Sequence, residues 1–181
     1  MISNTLILVD EHDRPIGTEE KMKTHELGLL HRAFSVWIFN EKGELMLQQR
    51  APKKYHCGGL WTNTCCSHPR PGETTIDAAH RRLQEEMGFD CELKEAMEFI
   101  YKIDFDNGLT EHEYLHVFIG RSDMDPVLNP EEASDFRWVS IDNLRKDITL
   151  DPEKYTYWFR LTLDKLLEKE LIPYPMLLPR D

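Results

Sequence analysis

A thiol and an imidazole lie two residues apart in the segment Leu60–Glu73, as Cys66 and His68. In an extended segment, residues of the same parity share a face, so Cys66 and His68 face one side and Cys65 faces the other. A thiol beside a cation or metal can have a lowered pKa and can exchange protons. Cys66 is therefore a candidate acid–base group. The alternative is that both cysteines are small apolar fillers of the core.

The helix predicted from roughly Thr74 to Met87 ends on two carboxylates, Glu85 and Glu86. Gly88 suits the end of a helix. The helix dipole, however, disfavours carboxylates at that end by a few tenths to about 1 kcal/mol each. A divalent cation near the helix end would offset this cost. The alternative is a solvated charge cluster in which each carboxylate pairs with the arginine one turn earlier.

Histidines and carboxylates elsewhere in the chain form a candidate metal site. Imidazole and carboxylate ligands suit Mn²⁺, Zn²⁺, Mg²⁺ or Fe²⁺, and five such ligands indicate octahedral coordination. Strand alternation puts the two carboxylates on one face. The alternative is that most of the eight histidines bind nothing. The candidate ligands are His25, His31, His68, Glu111 and Glu113.

Basic residues and one tryptophan are candidate substrate contacts. The guanidinium fork and the ammonium group suit phosphate oxygens, although ordinary surface charge is the alternative reading. Trp158 indicates either core packing or an aromatic wall for a cation or an apolar tail. The candidate phosphate contacts are Lys21, Arg50, Lys54 and Arg82.

The length of 181 residues fits one globular domain with a real core, or one domain plus an appendage, and 30% of the residues are charged. The net charge of −11 argues against binding to nucleic acid or to an anionic membrane. An anionic substrate would need a local cationic pocket and metal ions. No apolar run is long enough to span a membrane.

The four cysteines form no CxxC pair and no disulfide framework, which predicts reduced thiols and a cytoplasmic location. The apolar run near the N-terminus has no basic flank, so we interpret it as a strand and not as a signal peptide.

Short apolar runs and turn residues predict a mixed set of strands with few helices, which indicates an α+β sandwich. A loop carries His25 and ends at His31, and the turn Asn40–Gly43 makes a hairpin. The final helix covers about residues 152–171, and the tail after Pro173 is irregular. The predicted strands are Thr5–Val9, Ile16–Lys21, Ala33–Phe39, Glu44–Arg50, Leu109–Ile119 and Phe136–Ile141, with a β-rich stretch at Cys91–Asp106.

The segment Ser67–Phe89 resembles the Nudix box. Two positions depart from its pattern: Ser67 stands where the box has its first glycine, and Arg82 stands where it has a glutamate. These departures argue against ordinary Nudix pyrophosphohydrolysis. The matching residues are Glu73, Arg81, Leu83, Glu85, Glu86 and Gly88.

The segment Trp61–Pro69 resembles the signature of the type I isopentenyl-diphosphate delta-isomerases, and Glu111–Glu113 resembles the second motif of that family. The similarity extends from about Thr5 to Trp158. It implies an α+β fold, a Nudix-like mixed β-sheet sandwich with flanking helices. It also implies that residues 1–181 form a single domain whose C-terminal helix covers the pocket.

The resemblance implies that the chain converts isopentenyl diphosphate to dimethylallyl diphosphate in isoprenoid precursor biosynthesis, by protonation and deprotonation through a carbocation-like intermediate. The implied cofactors are Mg²⁺ on the diphosphate and Mn²⁺, Zn²⁺ or Mg²⁺ in the His/Glu site. The resemblance implies that the catalytic residues are Cys66, Glu113 and Tyr101. It implies that the ligands of the metal in the His/Glu site are His25, His31, His68, Glu111 and Glu113, and that Glu86 contacts the Mg²⁺ on the diphosphate. It also implies that Trp158 contacts the hydrocarbon end and that the phosphate is bound by Lys21, Arg50, Lys54 and Arg82.

Two other functions fit parts of the pattern. One is a Nudix-type diphosphate hydrolase, against which Cys66 and Arg82 argue. The other is a non-catalytic, metal-stabilised module that binds a diphosphate. In each case the expected partner is a small-molecule diphosphate, with no nucleic acid and no membrane. The sequence does not indicate an oligomeric state.

Overall fold

The computed structural model describes residues 4–54 and 56–172, in which nine strands form one mixed sheet flanked by four α-helices. This arrangement confirms the predicted α+β class. The strands are β1 (Thr5–Val9), β2 (Pro15–Glu20), β3 (His31–Phe39), β4 (Glu44–Arg50), β5 (Trp61–Thr62), β6 (Cys65–Ser67), β7 (Leu93–Asp104), β8 (Thr110–Arg121) and β9 (Ala133–Ser140). The helices are α1 (Lys21–Leu27), α2 (Thr75–Met87), α3 (Ile141–Leu150) and α4 (Tyr157–Glu168), with a 3-10 turn at Pro152–Lys154.

Strand β3 divides the core into two layers because its side chains alternate between the faces of the sheet. Phe34, Val36 and Ile38 pack with α2 on one face. Trp37 and Phe39 pack with α3 and α4 on the other. The same strand runs parallel to β8, with His31 opposite Glu113, and antiparallel to β6, with Ser35 opposite Cys66. The centre of the sheet therefore brings three of the predicted site segments together.

The segment that carries His25 is the helix α1, so the prediction of a loop is wrong. The Glu20 side chain accepts a hydrogen bond from the Lys23 N–H at 3.0 Å and caps the start of the helix. Gly28 ends it with a φ of 61°. A helix of seven residues is too short to show an apolar period. Packing against the sheet stabilises it where its own propensity would not.

The predicted hairpin between β3 and β4 is present only as a turn. Phe39 and Leu45 form the single pair between the two strands. Beyond it they diverge, because β4 pairs antiparallel with β9 while β3 pairs with β8. The local turn signal was correct, but long-range partners compete for both strands.

The final helix is shorter than predicted, because the chain is extended at Tyr155 and Thr156 between the 3-10 turn and α4. The Thr156 N–H donates to the Trp61 carbonyl at 3.0 Å, and Tyr155 makes a parallel bridge with Trp61. This link to β5 interrupts the helix and fixes where α4 begins. The predicted irregular tail after Pro173 lies outside the described residues.

Helix α2 has the predicted limits, since Thr74 caps its start and Gly88 ends it. Its last carbonyls accept hydrogen bonds from the segment before β9. The Val127 N–H donates to Met87 at 2.8 Å, and the Asn129 N–H donates to Glu86 at 2.9 Å. Donors at these carbonyls offset part of the negative end of the helix dipole. No helix in residues 4–54 and 56–172 is long and apolar enough to cross a membrane.

We expect Gly88→Ala to destabilise the protein more than Gly72→Ala does. Both glycines have a positive φ, of 76° and 86°, where an alanine costs roughly 1–2 kcal/mol. A Cβ at Gly88 would also lie 2.6 Å from the Val127 carbonyl oxygen, whereas a Cβ at Gly72 would meet no atom within 4 Å. The resulting overlap should add about 1 kcal/mol or more. Urea unfolding of both variants measures the difference, and equal losses would contradict the close approach at Gly88.

Candidate active site

A cavity between the sheet and helices α1, α2 and α4 receives most of the side chains predicted to do chemistry. The two that do not line it, His25 and His31, are buried beside Glu111. The structure thus brings all the predicted site residues into one region. Those that line the cavity are Lys21, Arg50, Lys54, Cys66, His68, Arg82, Glu86, Tyr101, Glu111, Glu113 and Trp158.

Three imidazoles and a carboxylate form a compact group of potential metal ligands. One ligand atom from each of His25, His31, His68 and Glu111 lies within 4.8 Å of the others. Glu113 adjoins the group, with Oε1 3.2 Å from His68 Nε2 and 3.8 Å from His31 Nε2. Elements α1, β3 and β8 and the residue after β6 supply these side chains, and the pairing of His31 with Glu113 sets their alignment.

The donors fit a divalent cation. His25 Nδ1 lies 2.6 Å from the Lys21 carbonyl, and His31 Nδ1 lies 2.8 Å from the Leu29 carbonyl. A nitrogen that faces a carbonyl must carry the proton, which leaves Nε2 with a lone pair in the neutral ring. Both Nε2 atoms face Glu111 Oε2, at 3.2 and 3.9 Å. Such separations suit ligands that share one ion with metal–ligand distances of roughly 2.1 Å.

The pKa shifts of two of the three imidazoles agree with this donor set, whereas Glu111 raises the pKa of His25 although burial opposes the shift. Burial lowers the pKa of His31 to about 4, and burial places the pKa of His68 well below its usual value. Both rings are therefore neutral, as metal ligands must be. Burial and the neighbouring Glu111 raise the pKa of Glu113 to about 8. A cation beside two adjacent carboxylates would favour their charged forms.

Tyr101 and Glu113 form a hydrogen bond inside the cavity. The Tyr101 hydroxyl donates to Glu113 Oε2 at 2.8 Å, and the two residues are paired across β7 and β8. Burial and the Glu113 carboxylate hold the pKa of Tyr101 well above its usual value. The hydroxyl is therefore a fixed donor that orients one oxygen of Glu113 and leaves the other toward His68.

The prediction from strand parity is confirmed for the placement of the adjacent cysteines. Cys65 is fully buried and packs in the core beneath α2. Cys66 lines the cavity together with His68. Burial raises the pKa of the Cys66 thiol to about 12, although its hydrogen bonds to Ser35 and Asn63 oppose the shift. Cys66 is therefore a protonated thiol at neutral pH.

Asn63 explains why the thiol points as it does, and the sequence analysis did not assign it a role. Its Nδ2 donates to the carbonyls of Val36 and Cys65, at 3.0 and 2.8 Å. Its oxygen must then face Cys66, whose thiol donates to it at 3.0 Å. The amide thus joins β3 and β6 and fixes the thiol direction.

The two carboxylates at the end of α2 differ. The predicted pairs are present: Arg81 lies 3.2 Å from Glu85, and Arg82 lies 2.6 Å from Glu86. The solvated-cluster alternative holds for Glu85, which is 37% exposed. Glu86 is only 4% exposed and also accepts a hydrogen bond from Gln48 at 2.9 Å. A carboxylate that lines the cavity at this depth is available to a cation.

Cations converge on the mouth of the cavity. Burial and the neighbouring Lys54 and Arg50 lower the pKa of Lys21, although Glu111 opposes the shift. Glu132, to which the sequence analysis gave no role, contacts Lys54 and lies 2.8 Å from Arg82. Burial opposes ionisation, but these two cations lower the pKa of Glu132 to about 2. The cluster remains positive overall, which suits a multiply charged anion.

His56 is a further cavity residue that the sequence analysis missed. It is buried, with Nε2 2.8 Å from Glu111 Oε1. It lies between β4 and β5, in a segment without periodic apolar residues, and its distance from other residues matches no recognised motif. The only sequence feature that could have pointed to His56 is its position six residues after Arg50, a candidate phosphate contact.

Comparison with known proteins identifies the family of the chain. The profile of the NUDIX domain matches residues 29–159. "Isopentenyl-diphosphate Delta-isomerase 2" of Aromatoleum aromaticum is 53% identical over 92% of this chain and 88% of its own. The "Isopentenyl-diphosphate Delta-isomerase" of Pectobacterium atrosepticum is 51% identical over 89% of this chain and 90% of its own. The chain belongs to the isopentenyl-diphosphate Delta-isomerases of the NUDIX family.

Solved structures support the fold of this isomerase family member. The MutT protein of Methanosarcina mazei aligns with a TM-score of 0.64 and 21% identity, over 78% of this chain and 95% of that chain. A Deinococcus radiodurans protein aligns with a TM-score of 0.68 and 22% identity, over 81% of this chain and 90% of that chain. Both the Nudix-like fold and the isomerase resemblance predicted from sequence are therefore confirmed.

We expect a divalent ion at the His/Glu cluster to stabilise this member of the isomerase family. An ion that binds only the folded state adds about 2.7 kcal/mol at a concentration of one hundred times its Kd. Exhaustive chelation should therefore lower the unfolding temperature, and added Mn²⁺ should restore it. The His31→Gln variant should respond little to Mn²⁺. An unchanged unfolding temperature in metal-free protein, verified by elemental analysis, would contradict the site.

Proposed function

We propose that the protein isomerises isopentenyl diphosphate to dimethylallyl diphosphate, as the names of its relatives indicate. The observation that carries this function is the shared cavity of Cys66 and Glu113. The reaction adds a proton to the terminal carbon of the double bond and removes one from the methylene group on the other side. It therefore needs two groups that can exchange protons without water, and this cavity contains a thiol and a carboxylate.

The two proton transfers belong to Cys66 and Glu113, one to each. Positioned donors and acceptors of this kind typically contribute about 10²- to 10⁴-fold each. The hydrogen bond that the thiol donates to Asn63 constrains Cys66, and the hydrogen bond that Tyr101 donates to Glu113 constrains the carboxylate. Each group therefore meets the substrate in one orientation.

The diphosphate binds at the cationic mouth of the cavity. The guanidinium groups of Arg50 and Arg82 bind phosphate oxygens as forks, and Lys21 and Lys54 add point charges. Glu132 holds Lys54 and Arg82 in place before the anion arrives. This arrangement anchors the charged end of the substrate away from the carbons that react.

Trp158 forms the wall beside the hydrocarbon end. It is 5% exposed and lines the cavity on α4. A desolvated indole face stabilises a nearby cation by about 2 kcal/mol. The closed wall also excludes water, which would otherwise trap the tertiary carbocation.

Two metal sites complete the proposal. His25, His31, His68, Glu111 and Glu113 would hold Mg²⁺, Mn²⁺ or Zn²⁺, and Glu86 would hold a Mg²⁺ on the diphosphate. When bound, such ions would supply positive charge that keeps Glu113 ionised and neutralises the phosphates. We also propose that residues 1–181 form a single domain with α4 over the cavity, and that it is cytoplasmic. Four free thiols support that location.

The alternative function is hydrolysis of the diphosphate by the same NUDIX fold. Incubation of purified protein with Mg²⁺ and isopentenyl diphosphate distinguishes the two. Proton NMR should show the allylic isomer, while phosphorus NMR should show an intact diphosphate. Release of phosphate or of a monophosphate without the allylic product would favour the hydrolase. Binding without any turnover would indicate a non-catalytic module.

We expect Cys66→Ala and Glu113→Gln each to lower kcat by about 10²-fold or more, because each removes one proton carrier. The matched control is Cys65→Ala, in the core beneath α2. It should lower stability by roughly 1 kcal/mol and change kcat little. Turnover and thermal unfolding measured on all three variants separate the effects. An epoxide analogue of the substrate should label Cys66, and a label on Cys65 would reverse the assignment.

We expect Trp158→Phe to keep part of the activity and Trp158→Ala to lose most of it. Phenylalanine supplies a weaker aromatic face to the cation, and alanine supplies none. The comparison uses kcat at saturating substrate, with thermal unfolding as the check on folding. Equal kcat in the wild type and both variants would show that Trp158 serves only in packing.

A further inference from the structure

The imidazole of His56 connects two parts of the cavity that the proposed function uses separately. Its Nε2 lies 2.8 Å from Oε1 of Glu111. Its ring stacks on Phe105 with the centroids 5.5 Å apart and 14° between the planes. It also meets the Trp158 ring edge-on, at 5.6 Å and 75°. The side chain is 6% exposed, so water does not compete for these contacts.

The contact with Glu111 determines how that carboxylate is turned. Oε1 faces His56, while Oε2 faces the Nε2 atoms of His25 and His31. His56 lies outside the compact group of ligand atoms, to which Glu111 belongs. His56 Nε2 is placed to give its N–H to Oε1, the oxygen that points away from the histidines. His25 and His31 differ, because Nδ1 of each ring faces a backbone carbonyl and Nε2 keeps the lone pair. Groups behind a metal ligand orient it in this way.

The backbone around His56 is held tightly by its surroundings. Cys57, the next residue, has a φ of 51°, which non-glycine residues rarely adopt. A Cβ on Gly58 would lie 2.5 Å from the Pro52 carbonyl oxygen, so the segment folds closely on itself. Unfavourable backbone of this kind persists only where the surrounding structure enforces it. The imidazole is therefore presented to the cavity from a constrained position.

We propose that His56 is a positioning residue with two effects. Its Nε2–H orients Glu111 so that Oε2 faces the metal-binding histidines, and its ring holds the Trp158 indole against the hydrocarbon end of the cavity. The second effect rests on the proposed function, because it concerns the wall beside the substrate. The first does not, because it concerns only the affinity for metal.

Two substitutions separate these effects. His56→Phe keeps an aromatic ring between Phe105 and Trp158 but removes the N–H that faces Glu111. His56→Gln keeps an N–H donor but removes the ring. A residue that served only to fill space would not produce opposite patterns in two measurements. His80→Phe is the matched control, since His80 lies on the outside of α2 and pairs with Asp90.

The first measurement is the affinity of the metal-stripped, full-length protein for Mn²⁺ without substrate, from the paramagnetic resonance signal of free Mn²⁺. We expect His56→Phe to bind Mn²⁺ about 10- to 100-fold more weakly than the wild type. His56→Gln should stay closer to the wild type, and His80→Phe should match it. If His56→Phe does not fold, His56→Leu removes the same donor in a smaller side chain and should give the same loss.

The second measurement is kcat with isopentenyl diphosphate at saturating Mn²⁺ and Mg²⁺. Here the order should reverse: His56→Phe should retain most of its kcat, and His56→Gln should lose about tenfold because the indole is no longer held. Phe105→Leu, which removes the stacking partner, should reduce kcat in the same direction without weakening Mn²⁺ binding.

Wild-type Mn²⁺ affinity in a folded His56→Phe or His56→Leu protein would overturn the role toward Glu111. A kcat that falls equally in His56→Phe and His56→Gln at saturating metal would overturn the role toward Trp158. Failure of the proposed function has a different signature, because the wild type would then give no allylic product while the Mn²⁺ affinities still differed among the variants.

Discussion

Two carboxylates buried side by side, Glu111 and Glu113, are the constraint on which the site depends. Like charges in a poorly hydrated place repel, and burial of each charged group is costly unless it is compensated. The conflict appears as a Glu113 pKa raised to about 8, while the contacts of His25 and His56 hold the pKa of Glu111 well below its usual value although burial opposes this. His31 and His68 are neutral rings that offer lone pairs rather than fixed charges. A divalent cation between the two carboxylates would favour the charged form of both.

The strand register places the two carboxylates close together. β8 presents Glu111 and Glu113 to the cavity and the residue between them to the other face. The parallel pairing of β3 with β8 places His31 opposite Glu113, and β6 continues the sheet with Cys66 opposite Ser35. A shift of one residue in β6 would bury the thiol beneath α2 and bring Cys65 to the cavity. The chemistry therefore depends on the same alternation that separates the two core layers.

Local patterns predicted much of the site, and long-range contacts determined the rest. The alternation of side chains along short strands placed Cys66 and the two glutamates, because successive residues of a strand point to opposite faces of the sheet. The capping residue and the glycine gave the limits of α2 for the same local reasons. The loop before β5 has no period, so the position of His56 follows only from the closure of the tertiary structure. Pairing of β3 and β4 with distant strands likewise overrode the hairpin turn between them, and α1 was too short to show a period.

We propose that the guanidinium of Arg82 favours isomerisation over hydrolysis. Arg82 stands where the Nudix box has a glutamate, and it lies 2.6 Å from Glu86 and 2.8 Å from Glu132. A carboxylate at this place would add negative charge beside Glu86 and strengthen the binding of further cations around the diphosphate. The arginine instead neutralises these carboxylates, and in the proposed function its positive charge also attracts the phosphate oxygens. In a chain of net charge −11, whose field decays over about 8 Å, such local cations allow a diphosphate to enter. They also favour holding it intact while the proton carriers act on the hydrocarbon end.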